Sequence, residues 1–102
     1  MNKETAIHAY KARKHALTGI YNAQSGHPGG SLSIADILSV LYFEVMNVDP
    51  KNPKMADRDR FVLSKGHCAP ALYGILAEKA SSRLKTWLLS AVQTAICRVT
   101  RI

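Results

Sequence analysis

A chain of 102 residues is at most one small domain; at this size roughly 60–70% of the unfolded surface is buried, which leaves little margin for independent stability. Its 47% apolar and 21% charged content excludes a disordered chain, and the lack of any run of about 18 apolar residues excludes a membrane-spanning helix. The net charge of +7 would suit nucleic acid or an anionic surface, but residues 1–80 hold ten Lys/Arg against seven Asp/Glu, so most of the excess comes from Arg83, Lys85, Arg98 and Arg101 in an acid-free tail.

No RNA-binding aromatic motif, basic stripe or zinc-finger spacing accompanies that charge, and neither a nucleic-acid nor a membrane partner is expected. Met1-Asn2-Lys3-Glu4-Thr5 is polar, without the apolar core of a signal peptide. Cys68 and Cys97 form no CxxC pair and are expected as free thiols in a reducing, cytoplasmic setting.

In chain order, Thr5 to Tyr21 reads as a helix, with Ile7, Tyr10, Leu17 and Tyr21 on one side and Lys11, His15 and Thr18 on the other. His8 and His15 are expected as solvated positions. The glycines of 26–30 stop that helix. A second helix is predicted over 33–46, opened by a Ser33-Ile34-Ala35-Asp36 capping box and carrying Ile34, Ile37, Leu38, Leu41, Tyr42 and Val45 at helical spacing. Val40 and Phe43 widen its apolar surface, which calls for neighbours on more than one face. Asn47 to Met55, with Pro50 and Pro53 among Asp, Asn and Lys, is loop chemistry. Phe61-Val62-Leu63 reads as a buried parallel strand, and Pro70 opens a helix through Glu78 lined by Leu72, Ile75 and Leu76. Helices flanking a buried strand predict an α/β fold with helices packed on a parallel sheet. From residue 81 the texture changes to a segment without acid, Gly or Pro, whose Leu84, Leu88, Ala91, Ala95 and Val99 would line a basic helix.

Two loops carry the chemistry. Ser25-Gly26-His27-Pro28-Gly29-Gly30-Ser31 and Ser64-Lys65-Gly66-His67-Cys68-Ala69-Pro70 each set a Gly-His pair beside a helix start. Glycine lets backbone approach a phosphate or turn with positive φ, and a helix N-terminus attracts anions. An imidazole there can donate to a phosphate oxygen or move a proton near pH 7. Taken singly, each histidine is structural more often than catalytic, and periodicity alone does not join them into one site.

The two loops in order, with Asp57-Arg58-Asp59-Arg60-Phe61-Val62-Leu63 before the second, resemble the N-terminal part of transketolase. Leu41-Tyr42-Phe43-Glu44-Val45-Met46 and Asp49-Pro50-Lys51-Asn52-Pro53-Lys54 resemble the type divided into N- and C-terminal subunits. Met55 stands where these relatives usually have Trp, and Cys68 where Ala is common. The resemblance covers residues 1–79 and implies the N-terminal fragment of a thiamine diphosphate-binding fold, with only its first strand or strands present. It implies transfer of a two-carbon ketol unit from a ketose phosphate to an aldose phosphate, as in the pentose phosphate pathway. By resemblance, His67 contacts the diphosphate and the substrate's hydroxyl end, His27 assists proton transfer beside the thiazolium, and Gly66 admits the cofactor. The implied partners of the intact enzyme are a C-terminal transketolase subunit, together with further copies in a homo-oligomer.

Family members continue with Gly-Phe-x-Pro-x-x-Asp-Leu, a Gln-Gly-His-Pro motif, and a Gly-Asp-Gly segment that begins the Mg2+ and diphosphate site; residues 80–102 match none of these, so no metal ligand is expected here. The tail is compatible with a one-base deletion after Glu78, because a restored base permits codons that read through both family motifs at the right spacing. The expectation is a transketolase fragment over 1–79 with an out-of-frame tail over 80–102, inactive alone, or else a non-catalytic fragment that docks on a partner subunit through its 33–46 helix.

Overall fold

The computed structural model describes residues 1–24, 26–52 and 55–79. Three helices make the frame: α1 (Lys3–Ala23), α2 (Pro28–Val40) and α3 (Ala69–Lys79). A π-helical turn (Leu41–Val45) prolongs α2, and a 3-10 turn (Gly66–Cys68) leads into α3. The tail helix, its basic residues and Cys97 lie outside the described residues.

Helix α1 begins where Asn2, in extended conformation, accepts a 2.8 Å hydrogen bond from the Thr5 N–H through its side chain. That satisfies one of the donors a first turn leaves free. It ends at Gln24 in the left-handed region (φ 52°), followed by Gly26 at φ 132°, a value that excludes nearly every residue but glycine. The buried face is Thr5, Ala9, Ala12 and Ala16, spaced at alternate three- and four-residue steps, so the side turned inward is made of small residues. The Ile7, Tyr10, Leu17 and Tyr21 stripe faces outward instead, with Tyr21 81% exposed. Close approach is the reason: a Cβ on Gly74 of α3 would stand 3.2 Å from the Ala12 carbonyl oxygen, a spacing that bulky residues on α1 would prevent.

Helix α2 starts earlier than the capping box implies. Pro28 takes the first helical position, where its missing N–H costs nothing. Asp36 is therefore inside the helix, and it serves a different purpose: Arg13 Nη2 of α1 lies 2.8 Å from Asp36 Oδ2 and Nη1 donates to Oδ1 at 3.0 Å. Arg13 Nε also donates to the Leu32 carbonyl at 3.2 Å, fixing α1 across α2. The guanidinium holds the Asp36 carboxyl below its usual range, by hydrogen bond more than by charge. Ser39 donates to the Thr5 carbonyl at 2.6 Å, so a buried hydroxyl is satisfied across the same helix pair.

The core is small. Ala12, Leu38, Ala71 and Ile75 are fully buried, and Ile34, Tyr42, Phe43, Phe61 and Leu72 pack around them. Tyr42 meets Phe61 edge-on at 6.2 Å, and burial pushes its hydroxyl above the usual value, with Arg58 opposing. Pro70 lies in the first turn of α3, Ile75 is buried there, and Gly74 and Ala77 complete its inner face. Ile37 and Val45 stay exposed, leaving one side of α2 and its π turn uncovered by the described residues.

No strand forms among the described residues, so the parallel sheet expected around Phe61-Val62-Leu63 is not seen and the described architecture is helical. A strand is held by a ladder, and the described sequence has no second segment beside 61–63; Val62 is 88% exposed. The segment is positioned by its neighbours instead. Asp59 accepts from the Asn47 N–H at 2.6 Å and donates its own N–H to the Asn47 carbonyl at 2.9 Å, while the Asn47 side chain donates to the Asp57 carbonyl at 3.2 Å. These bonds close the 47–59 loop and deliver Phe61 to the core.

Candidate functional site

The two Gly-His loops meet. His27 is the N-cap residue of α2, in extended conformation (φ −122°, ψ 98°), and its side chain makes no capping hydrogen bond. His67 sits in the 3-10 turn before α3, closed by a 3.0 Å bond from the Cys68 N–H to the Lys65 carbonyl. The two imidazoles lie edge-on, 5.6 Å between ring centroids and 86° between planes. Both are exposed, on the side where α2 begins.

The first turn of α2 holds the pair from beneath. Lys65 Nζ donates to the Gly30 carbonyl at 3.2 Å, joining one loop to the other. Gly30 lies so close to the second loop that a Cβ there would be 3.3 Å from His67 Nε2 and in collision with Cys68 Sγ. Cys68 is a free, fully buried thiol. Gly66 differs: nothing lies within 4 Å of where its Cβ would stand, and its φ is not positive. The chain's own packing therefore does not demand glycine at 66. Lys65, Gly30 and Cys68 stand in the quoted motifs, but only the folded contact reveals what they do to His67.

His8 and His15 are not solvated positions. His15 Nε2 is 3.0 Å from Glu78 Oε1, and His8 Nδ1 is 3.8 Å from Oε2 of the same carboxylate, whose side chain is only 4% exposed. His8 stacks on Phe43 (4.0 Å, 4°), and Lys79 Nζ lies 5.0 Å from that ring's centroid. The seven-residue separation of His8 and His15 put both on one face of α1; their acidic partner is 63 residues away from His15 and is not legible as local spacing. This cluster fastens α3 to α1, on histidines separate from the His27–His67 pair.

Two imidazoles, an uncapped helix start and a nearby lysine can bind an anion and move a proton. Among the described residues no three His, Cys, Asp or Glu side chains converge on a metal-sized site, and no helix among them is long and apolar enough to cross a membrane.

Residues 4–81 match the family model described as transketolase, thiamine diphosphate binding domain. The chain is 48% identical over 73 residues to an apulose-4-phosphate transketolase subunit of Phocaeicola vulgatus, covering 72% of this chain and 26% of that protein. It is 55% identical over 67 residues to the 6-deoxy-6-sulfo-D-fructose transketolase subunit SqwG of a Clostridium species, covering 66% and 24%. Against transketolase 2 of Aliivibrio fischeri it is 42% identical over 76 residues, 74% of this chain and 11% of that protein. The chain thus spans about a quarter of the subunit relatives and about a tenth of the longer one.

Proposed function

The chain belongs to the transketolase family, through its N-terminal, thiamine diphosphate-binding domain, and on that premise we propose that it is the first part of a split transketolase in which His27 and His67 serve one cofactor site. The edge-on pair at 5.6 Å carries this reading, because two rings that close can act on one small molecule. His67 binds the diphosphate and a hydroxyl of the sugar; His27 takes or returns a proton at the reacting end of the substrate. Gly66 leaves its flank open to the approaching phosphate, in keeping with the empty space around its Cβ position. When bound, thiamine diphosphate supplies the electron sink for moving a two-carbon ketol unit from a ketose phosphate to an aldose phosphate. The donor set fits the anionic end of that cofactor. In this reading the Mg2+ of the complete enzyme takes oxygen ligands from outside the two Gly-His loops.

Two of the relatives are named as subunits of transketolases, which supports a partner subunit carrying the remaining half of the site. Residues 80–102 are proposed to be out of frame with 1–79, and the 102-residue chain to be inactive alone. Ketol transfer by the purified chain with thiamine diphosphate and Mg2+ would overturn that. Restoring one base after the Glu78 codon tests the rest. The repaired product, mixed with a C-terminal transketolase subunit, is expected to transfer ketol units, and His27→Ala or His67→Ala each to lower the rate roughly 100-fold or more. A gene whose repaired codons do not read into Gly-Phe-x-Pro and Gln-Gly-His-Pro refutes the frame. A second reading, a non-catalytic fragment docking on a partner subunit, is favoured by the exposed Ile37 and Val45; capture of the 102-residue chain by an intact C-terminal subunit would support it, and loss of capture in Ile37→Lys would locate the surface.

A further inference from the structure

We propose that Gly30 and Cys68 form a size-matched pair that positions His67 against His27, so that Cys68 is a positioning residue of the site. The inference rests on the reading above only for the use made of the two histidines; the seating itself is steric.

Three side chains of the second loop bear on one glycine of the first. Lys65 Nζ grips the Gly30 carbonyl at 3.2 Å. A Cβ on Gly30 would stand 3.3 Å from His67 Nε2 and 3.6 Å from its Cδ2, and would collide with Cys68 Sγ. Gly29, one residue earlier, has nothing within 4 Å of its Cβ position, so the crowding belongs to Gly30 and not to the glycine-rich turn at large. Cys68 is 0% exposed, which leaves its Sγ no solvent side to swing toward. An exposed imidazole on a short turn would otherwise sample several rotamers. Here the ring edge and the thiol together occupy the space a side chain at 30 would need. A methyl group at 30 must displace the thiol, the ring or both, because overpacking of a close contact is relieved by shifts rather than absorbed. Removing only Sγ gives that methyl group somewhere to go.

The chain has four histidines, and His8 and His15, tied to Glu78, are built-in controls. The test is heteronuclear NMR of the histidine rings in the full 102-residue chain, without cofactor, at one fixed pH. In the unaltered chain a ring-to-ring NOE is expected between His27 and His67. Gly30→Ala is expected to abolish that NOE and move both ring cross-peaks, leaving those of His8 and His15 in place; Gly30→Ala with Cys68→Ala is expected to restore the NOE. Unmoved His27 and His67 peaks in Gly30→Ala, or a double variant that does not regain the NOE, would overturn the proposal. If Gly30→Ala shifts all four histidines, the double variant decides: recovery of all four supports the matched pair, and continued loss overturns it. Because no cofactor is present, failure here is distinct from failure of the ketol-transfer reading.

Discussion

Asp36 and His15 show what single side chains contribute when they join helices. The Asp36 carboxyl, held low by Arg13, stabilises the folded chain only while ionised. Its contribution is complete above the unfolded value of ~3.9 and is lost as pH falls through its lower folded value. Half of the side chain is exposed, so solvent limits the pair to about 0.2–1 kcal/mol. Thermal melts of Asp36→Asn and the unaltered chain are expected to differ by a constant amount above about pH 4 and to converge in stronger acid. His15→Ala removes the 3.0 Å partner of a nearly buried carboxylate, and urea melts are expected to show a loss of about 1.5–3 kcal/mol. At this scale the sequence exposed the two Gly-His motifs and placed both histidines beside helix starts. It did not expose Glu78 as the partner of His8 and His15, since a contact between α1 and α3 depends on how they cross.

Helix crossing in turn depends on small residues. Gly74→Ala would improve α3 by about 1 kcal/mol of helix propensity, but its methyl would press within 3.2 Å of a backbone oxygen and 3.4 Å of His15 Cβ. Backbone yields less readily than a side-chain tip, and overpacking costs about 1–3 kcal/mol. The expected outcome is a net loss of about 1 kcal/mol, read in the same melts. In the connecting loop, Asp59→Ala frees the Asn47 N–H from its 2.6 Å acceptor, and hydrogen exchange at that amide is expected to accelerate while amides of α1 keep their protection. All three helices were legible from periodicity and from Pro70. Which face of α1 turns inward was not, because Ile7, Tyr10, Leu17 and Tyr21 outweigh alanines on any hydrophobic count although only alanines permit Gly74 to approach. The start of α2 was misplaced for a related reason: Ser33 and Asp36 make a good capping box, yet Pro28 already fixes a helical φ five residues earlier, and Asp36 gains more from Arg13 than from an N–H. The 61–63 segment had strand composition without a partner strand among the described residues.

At the scale of the molecule, the outward Tyr10, Tyr21, Ile37, Val45 and Val62 contrast, among the described residues, with a buried core made mostly of alanines around Leu38 and Ile75. Exposed apolar surface on this scale favours association. Sedimentation at rising concentration is expected to show self-association, reduced in a Tyr10→Lys, Tyr21→Lys, Ile37→Lys variant. Tyr42 lends that small core an optical signature. Its phenol is half-buried against Phe61, and burial favours the neutral form. In an alkaline spectrophotometric titration, the Tyr42 phenol is expected to ionise only above the ordinary tyrosine range. Below the unfolded value of about 10 the folded chain pays nothing for burying this ring, and it loses stability as pH rises toward the higher folded value, so a late rise in ultraviolet absorbance is the expected sign that the ring has left Phe61, read without any added dye.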